Sequence, residues 1–344
     1  MSVSYKCPNC AANLEFDADT QQMSCKFCGS QIRPEDVVTV QNPEWKQETA
    51  EQWQSDVVVY TCGNCGAAVI TDQNTSAAFC AFCGSPAIVP ERLVEGYAPS
   101  EVIPFAYGRD AAVRKFFEWC KKGRMTPNDF ASDKNIEKLT GIYVPFWLFD
   151  SEVDMLYTAK GTKVHSVTAG NTTTTTTEHY NIQRNRKEAW DRIPLDGATH
   201  MDDKLMEIIE PYDYRDLTKF DMKYLAGFYA EKYDLPEDKL HARLKDRLVK
   251  YVKTIFDTSV KGYTSVSEVA DKSTYYRPRY AYALLPVWML NYQYRGKKYT
   301  FAMNGQTGKV AGEPPVSRMK LLVVAGVSLL VTGIIFYLVG GLFL

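Results

Sequence analysis

The longest apolar stretch of the chain is its last one. Residues 321–344 contain no charged side chain. As an α-helix, these 24 residues would be about 36 Å long, whereas the hydrocarbon core of a bilayer is about 30 Å thick. A buried core helix is the alternative, but core helices are rarely apolar on every face over such a length. The pattern therefore predicts a single transmembrane helix over residues 319–344.

Two helical patterns precede this stretch. Residues 109–122 have helical spacing and end before Gly123, which predicts a helix with a glycine C-cap. Residues 202–258 are also predicted to be helical. Near their end, apolar side chains recur every four residues on one face, at Leu240, Leu244, Leu248, Val252 and Phe256. The opposite face is basic and carries Lys239, Arg243, Arg247, Lys250 and Lys253. A helix of this kind packs on a core or lies on an anionic membrane surface, and both interpretations stay open.

Strand patterns fill much of the remaining middle region. Residues 141–161 alternate as one strand or a strand pair, and the threonine run 172–177 suits an exposed strand or hairpin arm. Residues 284–310 are typical of a β-meander with turns at 295–298 and 304–309. Proline and tryptophan are spaced alike in two of these segments, at Pro145 and Trp147 and at Pro286 and Trp288. This shared spacing predicts a duplicated β unit.

The N-terminal region repeats a cysteine pattern. Residues 7–30 and 62–85 both have the spacing C-x2-C-x14-C-x2-C, and a shift of 55 superimposes every cysteine. Two such knuckles on adjacent hairpins provide the closed tetrahedron of sulfurs that structural zinc prefers. The predicted ligands of two zinc ions are Cys7, Cys10, Cys25 and Cys28, and Cys62, Cys65, Cys80 and Cys83. Iron–sulfur binding or thiol redox chemistry is the alternative. The ninth cysteine, Cys120, is expected to be a small buried side chain.

Charge argues against nucleic acid as the ligand of these two ribbons. The net charge of the chain is -1, and Asp72 is the one charged residue in the stretch 57–90. Phosphate binding needs a basic face, which neither ribbon has. The second ribbon instead carries apolar side chains, namely Val69, Ile70, Phe79, Phe82 and Ile88. We expect this surface to dock on the next domain of the chain or on a partner.

The patterns together predict an α+β protein with a β-rich middle domain. The predicted divisions are zinc ribbon 1 at 1–33, a polar linker at 34–58 with a helical stretch around 44–54, zinc ribbon 2 at 59–90, the α+β middle domain at 91–316 and the transmembrane helix at 319–344. The polar linker predicts independent motion of the first ribbon.

The flanks of the apolar stretch predict its orientation. Arg318 and Lys320 precede it and no charge follows it, so residues 1–318 are expected on the cytoplasmic side. The first residues show no secretory signal, and paired cysteines are typical of metal ligands in a reducing compartment. We therefore expect a single-pass protein of the cell membrane with its N-terminal domains in the cytoplasm.

No catalytic motif is recognisable in the sequence. The four histidines, His165, His179, His200 and His241, lie outside any H-E-x-x-H motif, and the chain has no G-x-S-x-G motif or phosphate-binding loop. The sequence therefore predicts a protein that is not an enzyme.

Several segments together resemble a bacterial family of membrane proteins with two zinc ribbons of the transcription-factor-IIB type. They are the two ribbons, "VIPF" at 102–105, "GIYVPFWLFD" at 141–150, "YRGKKYTFAMNGQTGK" at 294–309 and the terminal apolar stretch. The resemblance implies zinc ligation by the eight paired cysteines. It also implies an association with membrane-stress proteins, either phage-shock-protein-A-like or flotillin-like.

These observations favour a tail-anchored adaptor that recruits peripheral proteins to the bacterial membrane, in a membrane-stress response by resemblance. The implied partners are the lipid bilayer and the peripheral proteins named above. The alternative is a membrane-tethered protein that binds nucleic acid or regulates its use. An enzyme of unrecognised type is the third interpretation.

Overall fold

A computed structural model gives the architecture of the chain. It describes residues 5–10, 12–37, 57–72, 80–83, 85, 88–91, 98–123, 125–127, 130, 136, 138–294 and 296–340. The predicted helical stretch around residues 44–54 lies outside this set, as does Phe79.

The described residues form strands and helices in the following order. The strands are β1 (Glu15–Asp17), β2 (Gln22–Ser24), β3 (Gln31–Ile32), β4 (Val57–Cys62), β5 (Ala68–Asp72), β6 (Ile88–Glu91), β7 (Glu101–Val102), β8 (Thr140–Ala169), β9 (Thr172–Asp196), β10 (Thr218–Lys219), β11 (Tyr229–Glu231), β12 (Ser265–Asp271), β13 (Thr274–Tyr275), β14 (Arg279–Tyr294), β15 (Lys297–Asn304) and β16 (Val310–Ala311). The α-helices are α1 (Arg109–Lys122), α2 (Asp203–Ile209), α3 (His241–Ser259) and α4 (Arg318–Gly340). The sheet-rich α+β fold predicted from the sequence is confirmed.

The chain forms two compact units, and each is assembled from separate segments. Unit 1 comprises Met1–Pro145, Ala198–Lys232 and Leu284–Leu344, and unit 2 comprises Phe146–Gly197 and Tyr233–Ala283. The domain boundaries inferred from the sequence stay a prediction.

Unit 1 contains a small antiparallel sheet, β1-β2-β3, and several strands of a larger mixed sheet. In the larger sheet β5 pairs antiparallel with β11, while β11 pairs parallel with β8 through Tyr229 and Ile142. Strands β14, β15 and β16 pair antiparallel in succession. Gly296 and Gly308 have φ angles of 79° and 72° in the two connecting turns, a region that glycine adopts without strain. The predicted β-meander is therefore confirmed, whereas the duplicated β unit stays a prediction.

Aromatic side chains fill the core of unit 1. Phe105 stacks on Phe228 with ring centroids 4.2 Å apart, and Tyr143 and Trp288 meet Phe105 edge-on. The Trp288 indole donates a hydrogen bond of 2.8 Å to the carbonyl oxygen of Tyr107, so its polar atom is satisfied. The buried face of α1 comprises Ala112, Phe116 and Cys120. That helix ends at its C-cap, Gly123, so both the predicted cap and the predicted burial of Cys120 are confirmed.

A long hairpin dominates unit 2. Strands β8 and β9 pair antiparallel as far as Ala169 and Thr172, and the strands turn at Gly170. The threonine run 172–177 is exposed throughout, which confirms the predicted exposed arm. Helix α3 buries the predicted apolar face, and Phe256 stacks on Tyr157 with centroids 4.7 Å apart.

The region 202–258 is not continuously helical, so that prediction was wrong. Helix α2 ends at Ile209 because Pro211 disfavours helical backbone in the residue before it and offers no N–H donor. Short 3-10 turns and the strands β10 and β11 follow, and α3 begins only at His241. The basic face of α3 is also partly used inside unit 2. Arg243 pairs with the buried Asp196 at 2.7 Å, and the buried Arg247 donates to the Pro194 carbonyl at 2.7 Å.

Helix α4 is the apolar stretch noted in the sequence. Its window Met319–Phe336 has a mean hydropathy of 2.3, and none of this window is buried. Among the residues that the structure describes, this is the one helix long and apolar enough to cross a membrane.

Candidate metal centres

The first ribbon brings its four predicted ligands together. The Sγ atoms of Cys7, Cys10, Cys25 and Cys28 all lie within 4.8 Å of one another. Backbone hydrogen bonds shape the two knuckles, since the Cys7 N–H donates to Ala12 at 2.8 Å and the Cys25 N–H donates to Ser30 at 2.9 Å. Gly29 follows the last cysteine with a φ of 74°, and its N–H donates to Cys25. These tight turns aim all four thiols at one point.

The second ribbon repeats this geometry. Its ligands Cys62, Cys65, Cys80 and Cys83 also lie within 4.8 Å of one another. The Cys62 N–H donates to Ala67 at 2.9 Å and the Cys80 N–H donates to Ser85 at 2.8 Å. Gly66 directly follows Cys65 in the first knuckle of ribbon 2, and its φ is 77°. Gly29 has the same place after Cys28 in the second knuckle of ribbon 1.

The sulfur spacing in both ribbons fits zinc. Cys7 and Cys28 have their sulfurs 3.5 Å apart, and so have Cys10 and Cys25. In ribbon 2 the corresponding distances, Cys62 to Cys83 and Cys65 to Cys80, are 3.6 Å. A tetrahedron with Zn–S bonds of about 2.3 Å has edges of about 3.8 Å, close to these values. Four sulfurs complete the coordination of zinc, so the chain holds two structural zinc sites of the closed type.

The polar surroundings of the thiols differ between ligands. The Ser30 hydroxyl lies 3.0 Å from the Cys28 sulfur and lowers the pKa of that thiol to about 6. Burial opposes ionisation of Cys83, but a hydrogen bond from the Asn64 amide contributes to lowering the pKa of Cys83 to about 7. Burial raises the pKa of Cys80. Zinc binds thiolates, so a bound ion would overcome this last effect.

Ribbon 1 docks on the rest of unit 1 through polar contacts. An Asp19 carboxylate oxygen accepts a hydrogen bond of 3.0 Å from the N–H of Gly108, the residue before helix α1. The Gln21 amide donates to the Phe105 carbonyl at 2.5 Å, and the Phe16 N–H donates to Ala226 at 3.0 Å. This set of contacts runs against the independent motion that the polar linker predicted.

Ribbon 2 is attached to the rest of unit 1 by strand pairing as well as by side-chain contacts. Strand β5 extends the larger sheet by pairing with β11. The His200 ring donates through Nε2 to the carbonyl of Cys65, a ligand, at 3.0 Å, and the Asn291 amide donates to the Ala81 carbonyl at 2.8 Å. Sequence reasoning did not assign these supporting roles, because residues 135 and 210 positions apart carry no signal of their proximity.

The apolar side chains of ribbon 2 face the chain itself. Val69, Ile70 and Phe82 are all buried, and the Phe82 ring lies 6.0 Å from the His200 ring. At these three positions, the docking surface predicted for ribbon 2 is therefore covered by other residues of unit 1. Phe79 and the side chain of Ile88 lie outside the described part of the chain.

The corresponding phenylalanine of ribbon 1 has the opposite environment. Phe27 is the counterpart of Phe82 in the repeat, and 84% of its surface is exposed. Its neighbour Lys26 pairs with Glu15 of the same ribbon at 2.6 Å. The outer knuckle of ribbon 1 therefore presents a large apolar side chain to solvent.

Comparison with known proteins agrees with this class of site. The TFIIB zinc-binding family matches residues 5–48, which contain ribbon 1. The fold and site thus define a protein with a ribbon of this family, a second four-cysteine site with the same spacing and a candidate membrane helix. Over 347 residues, the chain is 40% identical to "Uncharacterized protein YdjG" of Bacillus subtilis (strain 168), with 99% of each chain covered. The chain belongs to the family of that protein. No solved structure matches it.

Proposed function

We propose that this protein is a tail-anchored adaptor that recruits peripheral proteins to the cytoplasmic face of the bacterial cell membrane. The exposed Phe27 on a zinc-locked knuckle is the observation that carries the proposal. A rigid turn that displays one large apolar side chain is suited to insertion into a pocket of another protein.

Ribbon 2 shows what a phenylalanine at the position of Phe27 can do. Phe82 occupies the same place in the same turn and is 3% exposed, because unit 1 covers it. A phenylalanine at this position is therefore able to serve as a docking side chain. In ribbon 1 the docking contacts of Asp19 and Gln21 leave Phe27 available for a second protein.

Helix α4 supports the location. Its apolar window is exposed on all sides, which is costly in water and favourable in lipid. Arg318 and Lys320 at its start favour the cytoplasm for the folded units. In this arrangement the chain crosses the membrane once.

The proposal assigns no catalytic step to the protein. Both cysteine clusters are four-sulfur sets, in which zinc has no open position for a substrate. Ribbon 1 balances its charges, as in the Lys26–Glu15 pair, so it offers no basic face to a phosphate backbone. The alternative function is that of a membrane-tethered nucleic-acid binder, and a binding assay with DNA and RNA must exclude it.

The partner class rests on the family resemblance. It comprises membrane-stress proteins that are phage-shock-protein-A-like or flotillin-like. Such peripheral proteins would meet the knuckle of ribbon 1 at the membrane surface.

The test follows a fluorescently tagged partner candidate in cells that carry the full chain. We expect the partner at the membrane with the intact chain and in the cytosol after truncation following Arg318. Phe27→Ser should also release the partner while the chain itself stays in the membrane fraction. Lys26→Ala is the matched control, because it changes the adjacent exposed side chain and keeps Phe27.

Two results would contradict the proposal. The first is partner location that does not respond to Phe27→Ser or to the truncation. The second is salt-dependent binding of DNA or RNA by the purified chain with no protein retained from solubilised membranes.

A further inference from the structure

The outer edge of strand β9 is open at the end of the hairpin in unit 2. Strands β12 and β13 pair with the other edge of the hairpin, along β8. In the part of the chain that the structure describes, β9 pairs only with β8. Residues 172–179 are all exposed. This segment therefore presents unpaired backbone groups to its surroundings.

Hydrogen bonds along β8 identify which residues direct their backbone groups outward. The Val164 N–H donates to the Thr264 hydroxyl at 3.0 Å, so Val164 directs its backbone away from β9. Opposite residues of an antiparallel pair either bond to each other or both point away. Val164 lies opposite Thr177, so both residues direct their N–H and C=O groups away from each other. This orientation recurs every second residue, so Ser166 and Thr175 share it.

The hydroxyl contacts agree with this assignment. Ser166 and Thr175 have their hydroxyl oxygens 2.9 Å apart, and Thr168 and Thr173 have theirs 3.0 Å apart. Side chains approach this closely in the pairs that do not share backbone hydrogen bonds. Thr173, Thr175 and Thr177 therefore carry the outward N–H and C=O groups of β9.

This edge lacks the features that usually prevent strand pairing. Residues 169–177 contain no charge and no proline. The register of β8 and β9 shifts only between Phe149 and Ser151, far from the turn. Natural proteins usually protect exposed edges with lysine, proline or a bulge. Threonine also has a high preference for strands.

We infer that residues 172–177 pair antiparallel with the same edge of a second copy of this chain. A two-fold axis at Thr175 would place Thr173 opposite Thr177, so that outward groups meet outward groups, and such threonine pairs stabilise sheets through their hydroxyls and methyl groups. The absence of charge lets identical edges approach without repulsion. The first charged residue of the strand is Glu178, at the end of the run.

The experiment measures the mass of the full chain in detergent micelles by size-exclusion chromatography with light scattering. We expect two chains per particle across micromolar concentrations. Thr175→Pro removes one outward N–H and should give one chain per particle. Ser166→Pro is the matched control, because its N–H points to the opposite edge and it loses the same hydroxyl contact. This control should keep two chains.

A second variant guards against misfolding of the proline variant. Thr175→Lys keeps the N–H and adds the charge that protects natural edges, so it should also give one chain. Zinc content and circular dichroism check the fold of every variant. A single chain per particle for the unmodified protein would overturn the inference. So would two chains in both Thr175 variants, or dissociation by Ser166→Pro.

Discussion

The two ribbons have the same ligand spacing and different attachments to the chain. Ribbon 1 meets unit 1 through side-chain contacts such as Asp19 to Gly108, and leaves its outer knuckle exposed. Ribbon 2 contributes β5 to the larger sheet, and its knuckle is covered by His200. Ribbon 2 is therefore an integral part of the larger sheet, whereas ribbon 1 is attached to its surroundings by side chains and keeps its outer knuckle exposed. Similar metal geometry does not imply a similar role.

The largest expected effect comes from removing a zinc ligand in each ribbon. Cys25→Ser and Cys80→Ser should each reduce the zinc content from two ions to one per chain, because three sulfurs no longer complete the site. Only Cys80→Ser should also lower the melting temperature of unit 1 strongly, since β5 is paired with β11. Elemental analysis and thermal unfolding measure both quantities. Equal loss of melting temperature in the two variants would contradict the difference in attachment.

The paired phenylalanines give the next largest effect. Phe82→Ala should lower the free energy of unfolding by about 3–5 kcal/mol, because it empties a buried site. Phe27→Ala should change it by no more than about 0.5 kcal/mol, because that side chain is exposed. Denaturant titration of both variants measures the contrast. A large loss with Phe27→Ala would show that this side chain is buried in solution.

A smaller effect tests the docking of ribbon 1. A Cβ atom at Gly108 would lie 2.2 Å from a carboxylate oxygen of Asp19, so Gly108→Ala should displace that contact. We expect a loss of about 0.5–1.5 kcal/mol, because the Asp19 side chain can move aside and one hydrogen bond is lost, and faster hydrogen exchange in ribbon 1. Gly262→Ala is the control, because no atom lies within 4 Å of a Cβ there. Unchanged exchange in Gly108→Ala would show that Asp19 does not hold the ribbon.

The smallest effect is kinetic and compares zinc release. Cys28 is exposed, whereas Cys83 is half-buried, so a chelator should remove zinc from ribbon 1 several-fold faster than from ribbon 2. A chromogenic zinc assay should show two phases, and Cys25→Ser should abolish the faster one. Loss of the slower phase in that variant would reverse the assignment.

Local chemistry made the metal centres predictable. The C-x2-C pairs and the glycines beside them determine the turns within a few residues, so all eight ligands could be named from spacing alone. The apolar face of α3 and the meander of β14, β15 and β16 were predictable for the same reason. Each depends on a periodic pattern within one segment.

Long-range contacts were not predictable from one sequence. His200 and Asn291 reach ribbon 2 across 135 and 210 positions, and nothing in their neighbours marks them. The burial of Phe82 and the exposure of Phe27 arise from such contacts, although the two turns have matching sequences. The error in residues 202–258 has a local cause, because the prediction gave no weight to Pro211, next to which helix α2 ends.

The division of unit 1 into three segments has a consequence for synthesis. Ala81 lies 210 residues before Asn291, its hydrogen-bond donor. A ribosome adding about 5–20 residues per second needs about 10–40 s to bridge that interval. Within this interval the ribosome first makes His200, which covers the second knuckle, and then β11, the partner of β5. The cysteines of both ribbons are made before either of them. Early zinc loading of the nascent chain would hold the ribbons in shape until the last segment of unit 1 arrives.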